Sequence, residues 1–274
     1  MIVVKIGGGA GIGMQGLIAD AAGMIARGEQ MIIVHGASDA STRLGEQLGH
    51  PATFITSPSG HTSRRTDPRT MEIVQMASKG LINTGLVAQL QKAGVNAAGM
   101  SGVDGAIWRG ARKPAVRSVE DGRVKLIRDD MTGAVERVNT SLLRALLASG
   151  VTPVLCPPAL SFDFEPINID ADRAAARTAR ELGAHTLVLL TNVRGLLRSF
   201  PDESSLVERV EPAEWDEALE LAAGRMKKKV LGAREAMEPR ADGACSPVRR
   251  VIIADARVEQ PLTRALEGAG TVFS

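Results

Sequence analysis

The sequence predicts an α/β fold, a three-layer αβα sandwich with a mainly parallel central sheet and an inserted β-hairpin. Three observations support this. Short Val/Ile/Leu-rich runs stand alone at residues 2–6, 31–34, 151–156, 186–190 and 251–254, as strands buried on both faces do. Segments with helical apolar spacing alternate with them, and that alternation builds parallel sheets. The 274 residues, 44% apolar and 23% charged, supply a core large enough for one or two domains and exclude disordered, collagen-like and coiled-coil chains.

Taken in order, the first strand ends in a glycine run and a helix follows at residues 17–26. The second strand leads through His35-Gly36-Ala37-Ser38 into a helix from about Asp39, with Ser38 or Asp39 as its N-cap. A long helical pattern spans residues 71–92. Between residues 107 and 128 the rhythm breaks into short β-like pieces, and Glu120-Asp121-Gly122 carries an Asp-Gly turn signal, so an antiparallel hairpin at the sheet edge is expected. Helices are then expected at residues 142–148, 174–182 and 226–237. The Pro-rich stretch 153–166 marks a junction between two lobes.

Composition narrows the partners. Thirty-three basic and 31 acidic residues leave a net charge of +2, and five Phe, two Trp and no Tyr leave little for base stacking, so nucleic acid is not expected. A local excess does exist: residues 109–128 hold Arg109, Arg112, Lys113, Arg117, Arg123, Lys125 and Arg128 against Glu120 and Asp121. It reads either as a solvated, aggregation-resistant hairpin or as a docking patch for an acidic partner. Cys156 and Cys245 lie far apart with no histidine at zinc-ligand spacing, so a reducing cytoplasm and no structural metal are expected. The first strand begins at once, without a signal-peptide layout, and no apolar run reaches the length of a membrane span.

Ligands in open α/β sheets bind beyond the carboxyl ends of the strands, and four segments there are unusual. In Lys5-Ile6-Gly7-Gly8, alternation sends Ile2, Val4 and Ile6 to one face and Lys5 to the other face of a buried strand. A buried ammonium calls for an anion, which backbone N–H groups of the glycines can approach; the plainer reading is a tight turn with Lys5 reaching solvent. Gly36 and Ala37 permit close ligand approach, or simply connect a strand to a helix. Asn168-Ile169-Asp170-Ala171-Asp172 precedes a helix, where acids also serve as caps. In Gly224-Arg225-Met226-Lys227-Lys228-Lys229-Val230, Met226, Val230, Ala233 and Met237 form the apolar stripe. At about 100° per residue, Lys229 lies nearest that stripe, Lys227 flanks it and Lys228 points away.

These four segments, in this order, resemble the amino acid kinase family, specifically its acetylglutamate kinase branch. Within it, Gly49-His50-Pro51, the stretch from Ser63 through Arg64 to Asp67, Asn168 to Asp172 and Gly224 to Lys229 are similar to kinases acting on an amino acid held by a carrier protein. The resemblance covers nearly the whole chain. It implies one domain over residues 1–274, with an acceptor-binding lobe about 1–165 and a nucleotide-binding lobe about 166–274. The implied reaction is ATP-dependent phosphorylation of a side-chain carboxylate, with Mg2+ on the phosphates. The acceptor would be 2-aminoadipate on a small acidic amino-group carrier protein of lysine biosynthesis, in a cytoplasmic homodimer.

Residue by residue, the resemblance makes Lys5 and Lys229 the stabilisers of the phosphoryl group in flight and Asp172 their organiser. Gly36, Ala37, Arg64 and Asn168 would hold the acceptor, Arg64 through its carboxylate. Gly7 and Gly8 would donate N–H groups to the phosphates, and Asn192, Gly195 and Leu196 would lie in the nucleotide-base region. Ala37 departs from the usual glycine, which requires a negative φ there. The extra N-terminal helix of arginine-inhibited hexamers is not matched, so that feedback is not expected. N-acetylglutamate and carrier-linked glutamate remain rival acceptors, since one methylene is worth only about 1–3 kcal/mol to a pocket. From other classes, Gly11, Gly13 and Gly16 match a dinucleotide-binding pattern, weakly because His35-Gly36 ends the second strand where an acidic residue belongs; a catalytically silent nucleotide-binding regulator is the remaining alternative.

Overall fold

A computed structural model describes residues 1–8, 14–58, 60, 62–120, 122–239 and 248–274. The first half of the chain runs β1 (Ile2–Ile6), α1 (Met14–Ala26), β2 (Met31–His35), α2 (Ser38–Gln47), β3 (Phe54–Thr56), β4 (Thr62–Arg64), α3 (Pro68–Gln75), a π-helical segment (Met76–Asn83), α4 (Thr84–Lys92), β5 (Ala97–Ser101), β6 (Trp108–Gly110), β7 (Val116–Glu120), β8 (Arg123–Ile127), β9 (Arg137–Val138) and α5 (Thr140–Ala148). The second half continues with β10 (Thr152–Cys156), β11 (Ala159–Ser161), β12 (Pro166–Ile167), α6 (Ala171–Leu182), β13 (Thr186–Thr191), β14 (Arg209–Val210), α7 (Trp215–Leu221), α8 (Gly224–Met237), β15 (Arg250–Asp255), α9 (Pro261–Leu266) and β16 (Thr271–Phe273).

The central sheet has the order β14-β16-β15-β13-β1-β2-β10-β5. Strands β13, β1, β2, β10 and β5 are parallel to their neighbours, and β16 runs antiparallel to β15. Two cores flank it, because strand alternation sends successive side chains to opposite faces. Ile2, Val4 and Ile6 join Leu17, Leu86, Leu90 and Leu262 of α1, α4 and α9. Val3 joins Leu143, Ala175, Ala218 and Val230 of α5, α6, α7 and α8. Lys5 therefore points into the layer that carries α6 and α8.

Several features depart from expectation. The helix expected over residues 71–92 starts at Pro68, capped by Asp67 accepting from the Thr70 N–H at 2.7 Å, and passes through a π-helical segment before α4. The N-cap of α2 is Ala37, with no side-chain cap, rather than Ser38 or Asp39; the preceding turn is fixed by Gly8, whose carbonyl accepts from Asp39 N–H. The β7–β8 hairpin forms, with Val119 opposite Val124, but it pairs with no strand of the central sheet. It lies beside the β3–β4 hairpin instead, with a groove of about 550 Å³ between them. A four-stranded sheet, β12-β11-β6-β9, was not foreseen. The Asp121 turn residue, residues 9–13 with Gly11 and Gly13, and Cys245 lie outside the described residues.

Candidate active site

The carboxyl ends of β1, β2 and β13 meet where the strand order reverses, since β1 is flanked by β2 on one side and β13 on the other. This is where open sheets hold ligands. The turns after β1 and β2 touch through their backbones: Gly36 N–H donates to Ile6 O, and a Cβ on Gly8 would fall 2.5 Å from the Gly36 carbonyl carbon. Only glycine fits there. Ala37 adopts φ −140°, so its methyl group is accommodated without the left-handed conformation.

Below these turns lies a buried charge triangle. Asp172, in the first turn of α6, places one carboxylate oxygen 2.6 Å from Lys5 Nζ and the other 2.7 Å from Lys229 Nζ. The Lys229 contact is a hydrogen bond; the Lys5 approach is an ion pair without hydrogen-bond alignment, leaving that Asp172 oxygen without a hydrogen bond. Exposures are 5% for Lys5, 7% for Asp172 and 6% for Lys229. Burial pushes the Asp172 carboxyl up, but the two ammonium groups outweigh it and hold the carboxyl far below the usual range. Burial and the Lys5 charge lower the Lys229 pKa against the pull of Asp172. Two cations on one anion leave an excess positive charge, and a second anion there is favoured.

The helix elements explain the geometry. Asp170, not Asp172, is the cap of α6, accepting from the N–H groups of Asp172 and Arg173, which frees Asp172 to face inward. On α8, Lys229 looks inward as expected and Lys227 is exposed. Lys228 does not point away: it is half-buried and reaches Asp170 at 3.4 Å. The apolar stripe is Val230, Ala233 and Ala236, with Met226 and Met237 only partly buried.

The acceptor candidates are held by hydrogen bonds to neighbouring elements. Arg64, at the end of β4, donates from Nη2 to Ser38 O at 3.0 Å and Thr42 Oγ1 at 2.6 Å and lies 5.4 Å over the Phe54 ring. It thus sits on the first turn of α2, just past Gly36 and Ala37. Asn168 Nδ2 donates to Thr66 Oγ1 at 2.9 Å, and Thr66 is in turn fixed by Asp130, whose buried carboxylate accepts from the Thr66 and Thr132 N–H groups.

The nucleotide candidates divide. Gly7 N–H donates to Leu190 O at 3.1 Å, whereas Gly8 N–H has no partner among the described residues. Asn192 is exposed beyond β13, whereas Gly195 and Leu196 pack under β16, Leu196 N–H donating to Thr271 Oγ1 at 2.8 Å. Those two are buried beneath β16.

One network escaped sequence reading. His35 is fully buried at the end of β2; its Nε2 accepts from Asn83 Nδ2 at 3.0 Å, and Nδ1–H donates to Gly36 O at 3.2 Å. Asn83 also donates to Val154 O, and Lys79 reaches Asn83 Oδ1 and Gly99 O. The π-helical segment places Lys79 and Asn83 together, and no sequence periodicity signals it.

Comparison with known proteins agrees with this geometry. The amino acid kinase family model matches residues 1–243. The chain is 52% identical over 274 residues to a [LysW]-aminoadipate kinase of Deinococcus radiodurans, covering 100% of this chain and 91% of that protein. It is 51% identical to the protein of the same description from Thermus thermophilus, covering 99% of each. A [LysW]-aminoadipate/[LysW]-glutamate kinase of Saccharolobus solfataricus is 33% identical over 100% of this chain and 99% of that one. Among solved structures, N-acetylglutamate synthase from Neisseria gonorrhoeae superposes with a TM-score of 0.78 at 25% identity; all of this chain matches 59% of that one. Carbamate kinase from Giardia superposes with a TM-score of 0.65 at 13% identity, covering 99% and 97%. With a family match over most of its length and full-length relatives at half identity, this chain belongs to the amino acid kinase family.

Proposed function

We propose that the protein transfers the γ-phosphoryl group of ATP to the side-chain carboxylate of 2-aminoadipate held by an amino-group carrier protein, giving an acyl phosphate. The observation that carries this is the shared carboxylate: Asp172 holds two buried lysines at 2.6 and 2.7 Å and leaves net positive charge at the switch point of the sheet. The acceptor carboxylate is ionised at neutral pH, so no general base is needed. Its oxygen bonds to the γ-phosphorus as the bond to the β,γ-bridging oxygen breaks, and ADP departs with that electron pair. No proton moves. Lys5 and Lys229 offset the repulsion between carboxylate and phosphoryl oxygens, and Asp172 fixes their positions in advance.

Gly8 offers its N–H to the phosphates, Asn192 lies toward the base, and Gly36, Ala37, Arg64 and Asn168 hold the acceptor. Asn168 suits this because one amide N–H donates to Thr66, which orients the side chain, and its Oδ1 is left to accept from an acyl-amide N–H. No group of three or more His, Cys, Asp or Glu converges among the described residues. Mg2+ fits as a partner of the ATP phosphates, where it would neutralise charge on the transferring group. The lobes of about 1–165 and 166–274, a homodimer and a cytoplasmic site complete the reading; no helix among the described residues is long and apolar enough to cross a membrane.

The carrier reading rests on the names borne by the relatives and on charge. The groove between the two hairpins, lined by Phe54, Val119, Leu126 and Arg128, opens beside the ring on which Arg64 rests. Incubating the protein with ATP, Mg2+, hydroxylamine and each acceptor tests the reading. Carrier-bound aminoadipate should form a hydroxamate, identified by mass spectrometry at its side-chain carboxyl. Equal or faster reaction of N-acetylglutamate or carrier-bound glutamate would replace the acceptor; no hydroxamate with any acceptor would overturn the kinase reading.

A further inference from the structure

We propose that Arg225 is a second specificity-determining residue of the acceptor site, closing with Arg64 on the carboxylate that the acceptor carries besides the one phosphorylated. The two side chains come from different elements. Arg64 belongs to β4 and rests on α2, while Arg225 is in the first turn of α8. Arg225 precedes Lys229 by four positions, one helical turn or about 6 Å along the axis and on the same face. Lys229 faces the reacting centre, so Arg225 stands above that centre at the rim.

Neither guanidinium group has a counter-ion among the described residues. Arg64 is satisfied by two neutral oxygens and a ring, Ser38 O, Thr42 Oγ1 and Phe54, with no carboxylate within ion-pair distance among the described residues. Arg225 is exposed and makes no hydrogen bond or ion pair among the described residues. The arginines near it behave otherwise: Arg173 forks onto Glu235 and Arg234 reaches Asp216. Burial first and then the Arg225 charge lower the Arg64 pKa. Two like charges without an anion are unfavourable, and a carboxylate between them turns that cost into attraction. Guanidinium suits the task because its planar fork pairs with both carboxylate oxygens.

This inference rests on the reading of the acceptor as an N-acylated acidic amino acid, whose α-carboxylate is the anion gripped. The test is calorimetric binding of N-acetyl-2-aminoadipate and of its α-carboxamide to wild-type protein, Arg225→Ala and Arg225→Lys, with ATP binding measured alongside. The Arg225→Ala variant should weaken binding of the acid about tenfold, the scale of one charge-assisted contact. Binding of the carboxamide should be weak in all three proteins and insensitive to the substitution, and Arg225→Lys should recover part of the acid's affinity. Equal losses for acid and amide, a loss confined to ATP, or no binding of the acid by the wild-type protein would overturn the clamp. Because binding is read without turnover, a protein that grips the acid but makes no hydroxamate would refute the kinase reading and leave the clamp standing.

Discussion

Gly8 and Gly36 are locked in backbone contact, so that the turns after β1 and β2 form one rigid floor. A Cβ on Gly8 would lie 2.5 Å from the Gly36 carbonyl carbon and 2.6 Å from Ala37 N, whereas a Cβ on Gly36 would meet Gly8 N at 3.3 Å. The first contact cannot be relieved without separating the turns; the second needs only a few tenths of an ångström. Gly8→Ala should therefore lower Tm and reduce kcat/KM by at least about tenfold, with Gly36→Ala clearly milder in both. Thermal unfolding and steady-state kinetics check this, and equal effects would show that the turns are not wedged together.

The lysine pair predicts a different pattern. Lys5→Ala and Lys229→Ala should each lower kcat by at least about 100-fold, the scale for removing one preorganised charge at a transition state. Asp172→Asn leaves two buried ammonium groups facing each other and should cost about 3–5 kcal/mol of stability, as broken buried ion pairs do. Lys228→Ala, on the half-exposed Asp170 pair, should cost at most about 1 kcal/mol and leave turnover intact. If Lys228→Ala proved as damaging as Lys229→Ala, the division of labour on α8 would be wrong.

His35 makes stability depend on pH. Burial, then the charges of Lys5 and Lys79, hold the imidazole near a pKa of about 4, against the partial opposing effect of its hydrogen bond to Gly36 O. The unfolded chain takes up the proton near pH 6.5 while the native state resists until about 4. Stability is therefore full above pH 6.5 and falls as pH drops toward 4, by up to about 3 kcal/mol. Denaturant unfolding between pH 7 and 4 should show this slope, and it should flatten in His35→Gln. An unchanged slope would assign the pH dependence to other groups.

Those three cases also show what a single sequence can carry. Lys5 was legible because alternation in Ile2–Ile6 put an ammonium on a buried face, and Lys229 because helical spacing placed it nearest an apolar stripe. Lys228 was misread because its partner, Asp170, lies 58 positions away and a helical wheel holds no information about other elements. Strand β5, Ala-Ala-Gly-Met-Ser, was invisible for a packing reason: Gly99 lies where a Cβ would clash with Asn83 and Val87, so the strand lacks the branched residues that mark its neighbours. The commitment of Gly7 N–H to Leu190 O likewise depends on which strand lies beside β1.

Arg64 should separate the two substrates. Its guanidinium is anchored through Nη2 to Ser38 O and Thr42 Oγ1, leaving part of the fork for a carboxylate. Lysine can replace the charge but not the fork. Arg64→Lys should raise the acceptor KM about tenfold or more while the ATP KM stays within about twofold. Equal changes in both constants would point to general misfolding of the β3–β4 hairpin.

The last prediction concerns the basic hairpin and revises which charges are available for docking. Arg112 is not a free surface charge: Nε donates to Asp130 O, Nη2 donates to Arg128 O, and Nη1 lies 3.5 Å from Glu165. Reversing it would break the support of Asp130, which holds Thr66 and through it Asn168. Lys125 is paired with Glu120 at 2.6 Å. Arg117 and Arg123 are exposed and have no ion pair among the described residues, so they are among the charges an acidic carrier would meet. Surface charge of this kind acts mainly on the encounter rate and is screened by salt. Arg117→Glu with Arg123→Glu should therefore cut kcat/KM for the carrier-linked acceptor and weaken its dependence on ionic strength. Turnover of a short acyl-amino acid mimic should be unchanged, since neither residue touches the charge triangle. A double variant that handles the carrier normally at low salt would remove the hairpin from docking and leave it a solvated, aggregation-resistant loop.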